Sequence, residues 1–164
     1  MATPERFAFS FEIRVHWGEV DRMGHVNNAM YARYIESARS EYFAAVGMSD
    51  ARNLAPPPSN LALPRTTSEK VGPILARLAI DFRRPAHHPD TITVQVATTR
   101  LGTTSATQRY VLISKEQNGA VLAEAEVVWV LFDYEKNAPV RLPEALRERI
   151  VKLEASAGRE VQGT

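Results

Sequence analysis

The segment from Val15 to Tyr31 holds the residue types and spacing that best suit chemistry at a carbonyl group. It contains a carboxylate, Asp21, shortly before a predicted helix that begins near Asn27 or Asn28. The first N–H groups of a helix have no partner within it and together carry about half a positive charge. Such a terminus can receive a developing oxyanion while the carboxylate attacks the carbonyl carbon or activates water against it.

The same residues also have a structural interpretation. Asp and Asn side chains that precede a helix act as N-caps more often than as catalytic groups. Asn27 and Asn28 can each supply the cap, which leaves Asp21 without that role. Gly24 suits either a close approach of the backbone to a ligand or an ordinary tight turn. His25 is equally compatible with a place in a site and with a loop histidine bonded to the backbone.

Two elements are predicted to position this segment. A strand over 7–17 precedes it, because large apolar side chains occupy every second position. A helix that ends near Gly47 follows it, with apolar side chains three or four residues apart. That apolar face consists of Tyr31, Tyr34, Ile35, Ala38, Tyr42 and Ala45. We expect it to form the hydrophobic spine against which a sheet packs.

The second half of the chain is predicted to be nearly all strand. The strands cover 74–82, 91–99, 104–114 and 120–132. The last two form a hairpin, since Asn118-Gly119 is a strong turn signal between them. A helix over 144–153 follows Pro143, and residues 155–164 show no periodicity and are expected to fray.

One long helix followed by a run of antiparallel strands indicates an α+β fold and not a wound parallel sheet. The chain fits a single domain, placed over 1–154, with 155–164 as a disordered tail. Between the long helix and the strands we expect a surface loop over 55–60 and a short strand within 61–71. An outermost strand leaves backbone groups unpaired, so we expect a homodimer or homotetramer.

Composition narrows the classes of function. The 164 residues are 45% hydrophobic and 24% charged, and their formal net charge of +1 gives no reason to expect nucleic acid or a membrane as partner. The absence of cysteine excludes disulfides, cysteine metal ligands and a cysteine nucleophile within this chain. Neither a secretory signal nor an apolar run of membrane-spanning length is evident, so we expect a cytoplasmic protein.

The segment 17–31 resembles the signature of the 4-hydroxybenzoyl-CoA thioesterase family of hotdog proteins. The resemblance continues through Tyr34, Glu36, Arg39, the stretch 80–85, Gly102, Ser105 and the stretch 142–144, and covers about 11–149. It implies a hotdog fold, in which an antiparallel sheet wraps a long central helix. It also implies hydrolysis of an acyl-CoA thioester to a free acid and coenzyme A.

The resemblance also implies roles for single residues. Asp21 matches the family's catalytic aspartate, which acts as nucleophile or general base, and the backbone N–H near Asn28 matches the group that polarises the carbonyl. His25 matches a site histidine of the larger thioesterases that act on acyl carrier protein. Their companion asparagine falls here at Met23, so that version of the site is incomplete. Glu19 replaces an aspartate common in the family and is left outside the core site.

Further residues are expected to bind the substrate. Gly24, Val26, Asn27 and Tyr31 surround the expected reacting carbonyl. Candidates for the coenzyme A phosphates are the side chains of Arg83 and Arg84 and the backbone around Gly102, Thr103 and Ser105.

No metal or redox cofactor is expected, coenzyme A being part of the substrate. The four histidines show no metal-ligand pattern, and His87 and His88 are expected to be solvated loop residues. The absence of a Gly-x-Ser-x-Gly motif excludes a serine hydrolase of the α/β class.

Two alternatives stay open. One is a thioesterase for acyl carrier protein, which would need a docking surface for an acidic carrier that the near-neutral charge does not indicate. The other is a non-catalytic hotdog protein that binds acyl-CoA. A hotdog dehydratase or hydratase is disfavoured, because the histidine-led motifs of those relatives are missing.

Overall fold

The computed structural model describes residues 6–48 and 71–163. The predicted loop over 55–60 and all but the last residue of the predicted strand within 61–71 lie outside the described residues. In chain order the elements are β1 (Phe9–Arg14), a 3₁₀ turn (Trp17–Glu19), α1 (Asn28–Ala45), β2 (Val71–Phe82), β3 (Thr91–Leu101), β4 (Ser105–Ser114), β5 (Val121–Asp133), β6 (Ala138–Pro139) and α2 (Glu144–Ser156).

The strands form one antiparallel sheet with the order β1-β3-β4-β5-β2, and the short β6 pairs with β5. The long α1 packs against β1 and β3 on one face. This is the α+β hotdog arrangement that the resemblance predicts. The β4–β5 hairpin turns at Asn118 and Gly119, both with positive φ, as the Asn-Gly signal indicated.

Strand boundaries differ from the sequence prediction by three residues at two places and by at most two residues elsewhere. The first strand ends at Arg14 and not at Trp17, because Val15 N–H donates to Asp90 O and the chain then enters the 3₁₀ turn. The second strand begins at Val71, earlier than 74, and includes Pro73. Proline is tolerated there because β2 lies at an edge of the sheet, where one row of N–H groups needs no partner.

The apolar face of α1 is buried nearly as predicted. The side chains of Tyr31, Tyr34, Ile35, Ala38 and Tyr42 are all buried, whereas Ala45 is exposed and Phe43 and Val46 are buried instead. Phe43 packs edge-on against Trp129 of β5 with ring centroids 5.1 Å apart. Gly47, at φ +73, follows the helix in a left-handed conformation that favours glycine.

The C-terminal segment is ordered through Gly163, unlike the frayed tail that the sequence indicated. α2 continues to Ser156, and the following residues return to the end of β3. Gln162 donates through its N–H to Thr99 O at 3.0 Å and accepts from Leu101 N–H at 2.8 Å. Val161 is buried beside this contact. Non-local pairing therefore holds a segment that has no periodicity of its own.

A buried polar network joins α1, α2 and β3. Glu154 Oε1 accepts hydrogen bonds from Tyr42 O–H at 2.7 Å and from Thr98 N–H at 2.8 Å. Thr98 Oγ1 donates to the Tyr42 oxygen at 2.9 Å, and the Arg159 guanidinium lies 3.5 Å from Glu154 Oε2. Burial raises the pKa of Glu154, although its hydrogen bonds and Arg159 act in the opposite direction.

We expect the contribution of Glu154 to the free energy of unfolding to decrease as the pH rises. A carboxyl whose pKa is higher in the folded than in the unfolded state contributes stability at low pH, and this is lost as pH rises past its ordinary value of 4.5. Glu154→Gln keeps an acceptor oxygen but cannot titrate. Denaturant unfolding from pH 4 to pH 8 should show the wild type losing stability relative to Glu154→Gln. A difference that stays constant across this range would contradict the assignment.

Candidate active site

A closed turn carries the residues that the sequence singled out. Val20 and Val26 form an antiparallel bridge, and Asp21 N–H donates to His25 O at 2.8 Å. Gly24 N–H donates to Asp21 O at 3.0 Å, and its φ of +80 is a conformation that side chains rarely adopt. Glycine is therefore required by the turn itself. The turn fixes the backbone of Asp21 and His25 side by side.

The two oxygens of the Asp21 carboxylate have different surroundings. Oδ1 accepts from Met23 N–H at 2.8 Å and from His25 N–H at 3.3 Å. Oδ2 has no hydrogen-bond partner within 6–48 or 71–163, and the side chain is exposed. Backbone donors therefore orient the carboxylate through one oxygen and leave the other available to a substrate or a water molecule.

The start of α1 presents an unpaired donor. Asn27, one of the two candidates that the sequence left open, is the N-cap, and its Oδ1 accepts from Ala29 N–H at 2.9 Å. Met30 N–H donates to Asn27 O, also at 2.9 Å. Asn28 N–H has no acceptor within the described ranges, and the residue is exposed. One backbone donor at the positive end of the helix is thus free to bind an oxygen atom.

Glu19 ties the turn to the helix. Its Oε2 accepts from His16 N–H at 2.9 Å and from Tyr34 O–H at 2.6 Å, and its backbone oxygen accepts from Asn27 N–H at 2.9 Å. Burial, reinforced by the bond to this carboxylate, raises the pKa of Tyr34, so the phenol remains a donor. Glu19 therefore positions the turn relative to α1. The sequence did not reveal this role, because the spacing of Tyr34 indicated only a place on the apolar face of the helix and gave no partner for its hydroxyl.

The loop after β2 closes against the same turn. Val26 N–H donates to Ala86 O at 2.9 Å. The buried Tyr31 hydroxyl accepts from Ala86 N–H at 3.0 Å and donates to Arg84 O at 3.4 Å, and burial raises its pKa. Tyr31, expected to bind substrate, thus has its hydroxyl engaged by backbone. Val26 is likewise buried within the protomer.

This loop places a second imidazole at His25. The rings of His25 and His87 meet edge to face with centroids 5.1 Å apart, and His87 Nδ1 lies 3.4 Å from Gly24 O. His87 is exposed, as expected, yet it contacts a predicted site residue. Sequence spacing gives no signal for this contact, because the two residues are brought together by loops far apart in the chain.

The two candidate phosphate-binding arginines differ. Arg83 forms an ion pair with Glu124 at 2.9 Å, and Glu124 also accepts from Arg109. Hydrogen bonds from Arg109 and Arg83 lower the pKa of Glu124. The Arg84 guanidinium has no partner in the described part of the chain and is exposed. Of the pair, Arg84 has the free guanidinium at this end of the sheet.

The glycine and threonine turn lies at the opposite end. β1 leads into the Asp21 turn beside the first residue of β3, whereas Gly102, Thr103 and Ser105 follow its last residue. Eleven residues of strand separate the two ends, which corresponds to roughly 35 Å. Gly102 N–H donates to Ser105 O, and Arg147 binds Gly102 O. A single protomer does not bring these residues to Asp21, and Gly102 and Thr103 line a separate cavity of about 430 Å³.

Two kinds of feature are absent from the described residues. Over 6–48 and 71–163, no group of three or more histidine, aspartate or glutamate side chains is arranged to hold a metal ion. In the same ranges no helix is long and apolar enough to cross a membrane.

The chain is similar to known thioesterases over most of its length. Residues 15–150 match the model of the thioesterase-like superfamily. The acyl-acyl carrier protein thioesterase ATL3 of Arabidopsis thaliana is 30% identical over 142 residues, which cover 85% of this chain and 66% of that protein. The long-chain acyl-CoA thioesterase FadM of Escherichia coli is 25% identical over 142 residues, which cover 87% of this chain and 96% of FadM.

A solved structure shares the fold and carries a ligand. The thioesterase from Thermus thermophilus, complexed with coenzyme A and Zn, is 29% identical with a TM-score of 0.74, covering 94% of this chain and 98% of that one. The family match spans Asp21, His25 and Asn28 as well as the central helix and sheet. This chain therefore belongs to the thioesterase-like superfamily of hotdog-fold enzymes.

Proposed function

We propose that the protein hydrolyses an acyl-CoA thioester to a free acid and coenzyme A at the Asp21 turn. The observation that carries the proposal is the pairing of a carboxylate held by one oxygen with an unpaired helix N–H at Asn28. The bridge between Val20 and Val26 closes the turn that carries Asp21, and Asn28 follows two residues after that turn. Acyl transfer requires this combination of a nucleophile or base and an oxyanion donor.

In the proposed reaction the thioester carbonyl oxygen accepts a hydrogen bond from Asn28 N–H. Asp21 Oδ2 either attacks the carbonyl carbon or takes a proton from a water molecule that attacks it. The bond from carbon to sulfur then breaks, and the departing thiolate of coenzyme A takes up a proton. In the first route water hydrolyses the acyl–aspartyl anhydride and regenerates the carboxylate. His25 and its partner His87 lie against the turn, where they orient the substrate beside Asp21.

The proposed reaction uses groups of the chain and water, with coenzyme A entering only as part of the substrate. We favour coenzyme A over acyl carrier protein because Arg84 offers a free guanidinium at this end of the sheet, which suits a phosphate. The relatives act on both kinds of carrier by name, since ATL3 is an acyl-acyl carrier protein thioesterase and FadM an acyl-CoA thioesterase. An aromatic acyl group, as the 4-hydroxybenzoyl resemblance implies, belongs in any substrate panel.

We further propose that two copies of the chain pair through β2. This strand of 12 residues is an edge of the sheet, and its unpaired backbone groups can bind a second edge. Leu75 and Phe82, which lie on β2, are each 46% exposed. A partner strand would cover both.

Asp21→Asn should lower kcat by at least about 10²- to 10³-fold, the scale on which removal of a group from such sites acts. The amide keeps an oxygen for Met23 and His25 N–H, so the fold and the melting temperature should change little. Thiol release from acyl-CoA measures the rate. Glu41→Gln, an equal loss of charge on the exposed face of α1, is the matched control and should retain full activity. Near-normal turnover in Asp21→Asn would contradict the mechanism.

The carrier can be identified by giving one acyl group to the enzyme on two carriers. We expect kcat/KM to be at least tenfold higher with coenzyme A than with acyl carrier protein. Arg84→Ala should raise KM for the coenzyme A substrate and leave kcat nearly unchanged. A preference for the carrier protein would favour that alternative, and saturable acyl-CoA binding without acid release would favour the binding protein.

Leu75→Glu should weaken the proposed dimer, because the interface would have to bury a charge. Sedimentation velocity is expected to show a dimer for the wild type and a dissociation constant raised at least tenfold in the variant. Val121→Glu is the matched control, since Val121 is also partly exposed but lies on the inner strand β5, where it pairs with Ile113 of β4. Equal effects of both variants, or a monomeric wild type, would contradict the β2 interface.

A further inference from the structure

Two apolar side chains are unusually exposed beside Asp21. Trp17 is 79% exposed and Met23 is 77% exposed, whereas no other large apolar side chain within 6–48 or 71–163 exceeds 46%. Isolated exposed apolar residues are common, but these two lie four residues before and two residues after Asp21 in the chain, in the 3₁₀ turn and in the closed turn. Their location coincides with the groups that the proposed reaction uses.

The backbone of both residues is held in place. Trp17 begins the 3₁₀ turn, and its carbonyl oxygen accepts from Val20 N–H at 3.2 Å. The hydroxyl of the buried Tyr34 donates a hydrogen bond to Glu19 and so anchors the 3₁₀ turn. Met23 N–H donates to Asp21 Oδ1 at 2.8 Å. Both side chains are therefore presented from a framework that is fixed relative to the carboxylate.

We propose that Trp17 and Met23 form the contact surface for the acyl chain of the substrate. The inference rests on the proposed function. The acyl chain is bonded to the carbonyl carbon on which Asp21 acts, so its first methylene groups must pass next to the residues that flank Asp21. Both side chains are apolar and open to solvent, as a contact for a hydrocarbon chain requires. Each methylene removed from water strengthens binding roughly fourfold.

Tryptophan fluorescence tests the contact directly. The chain contains two tryptophans, and Trp129 is fully buried, so acrylamide quenching of the wild type reports on Trp17. The probes are S-alkyl coenzyme A thioethers, which cannot be hydrolysed, with alkyl chains from short to long, and coenzyme A alone. We expect long thioethers at saturation to lower the quenching constant severalfold and to shift the emission to shorter wavelength. Coenzyme A alone should do neither.

Two outcomes of this experiment would overturn the proposal. In the first, Trp17 is protected from acrylamide even without ligand, and dilution of the protein removes the protection. This result would mean that a second copy of the chain covers Trp17. In the second, calorimetry shows that the long thioether binds while Trp17 stays as accessible as before. The acyl chain then lies elsewhere.

Kinetics give a second and independent readout. Trp17→Ala should reduce kcat/KM at least tenfold for a long acyl chain and less than threefold for a short one. The reduction should come from a higher KM and not from a lower kcat. Trp17→Phe should restore most of the difference, and Met23→Ala should show the same dependence on chain length as Trp17→Ala. Tyr134→Ala removes a comparable partly exposed aromatic ring outside the Asp21 turn and should leave the chain-length profile unchanged.

The outcomes separate this inference from the proposed function. Hydrolysis that depends on Asp21, combined with an equal loss for all chain lengths in Trp17→Ala, would overturn the acyl contact and leave the hydrolase standing. Protection of Trp17 by long thioethers without any thioester turnover would overturn the hydrolase and leave the acyl contact standing. A protein that binds acyl chains at this surface would then replace the enzyme.

Discussion

Three buried tyrosine hydroxyls hold α1 to the rest of the protein, and the geometry of the site follows from them. A phenol that is buried needs a hydrogen-bond partner, so each hydroxyl draws another segment of the chain against the helix. Tyr31 holds the loop after β2, Tyr34 holds the turn through Glu19, and Tyr42 joins Glu154 on α2. Burial raises the pKa of all three, which keeps them protonated. The segments held by Tyr31 and Tyr34 are the ones that form the candidate site.

Two carboxylates that lie two residues apart have different surroundings. The Glu19 carboxylate accepts hydrogen bonds from the Tyr34 hydroxyl and from His16 N–H. It therefore connects the 3₁₀ turn to α1. Asp21, two residues later, is exposed and uses only one oxygen within the turn. The longer side chain of Glu19 places its carboxylate within hydrogen-bond reach of the helix. One carboxylate therefore connects segments of the protein, and the other stays available for the reaction that we propose.

Sequence reasoning was accurate where short-range physics decides the structure. The stop at Gly47 and the Asn118-Gly119 turn were correctly predicted, and the N-cap was narrowed to Asn27 or Asn28, since each depends on residues close to it in the chain. It was wrong about the end of the first strand and about the last residues, where hydrogen bonds to Asp90 and to β3 override the local pattern. The grouping of Gly102 with Asp21 also fails within one protomer, because the resemblance aligns positions without saying which end of a strand they occupy.

The sequence by itself determined the class of fold, the central helix, the thioesterase-like superfamily and the segment that carries Asp21, His25 and Asn28, whereas the family model and the relatives do not single out the 4-hydroxybenzoyl-CoA thioesterases. The fold and the helix follow from periodicity and capping, and the superfamily follows from a resemblance that consecutive residues carry. Only the tertiary structure decided that Asp21 is oriented through one oxygen, that Glu19 anchors the turn to Tyr34, and that His87 meets His25. It also showed Trp17 and Met23 uncovered beside the carboxylate. Such properties depend on how distant segments pair and on what covers a side chain, and neither is encoded in the spacing of neighbouring residues.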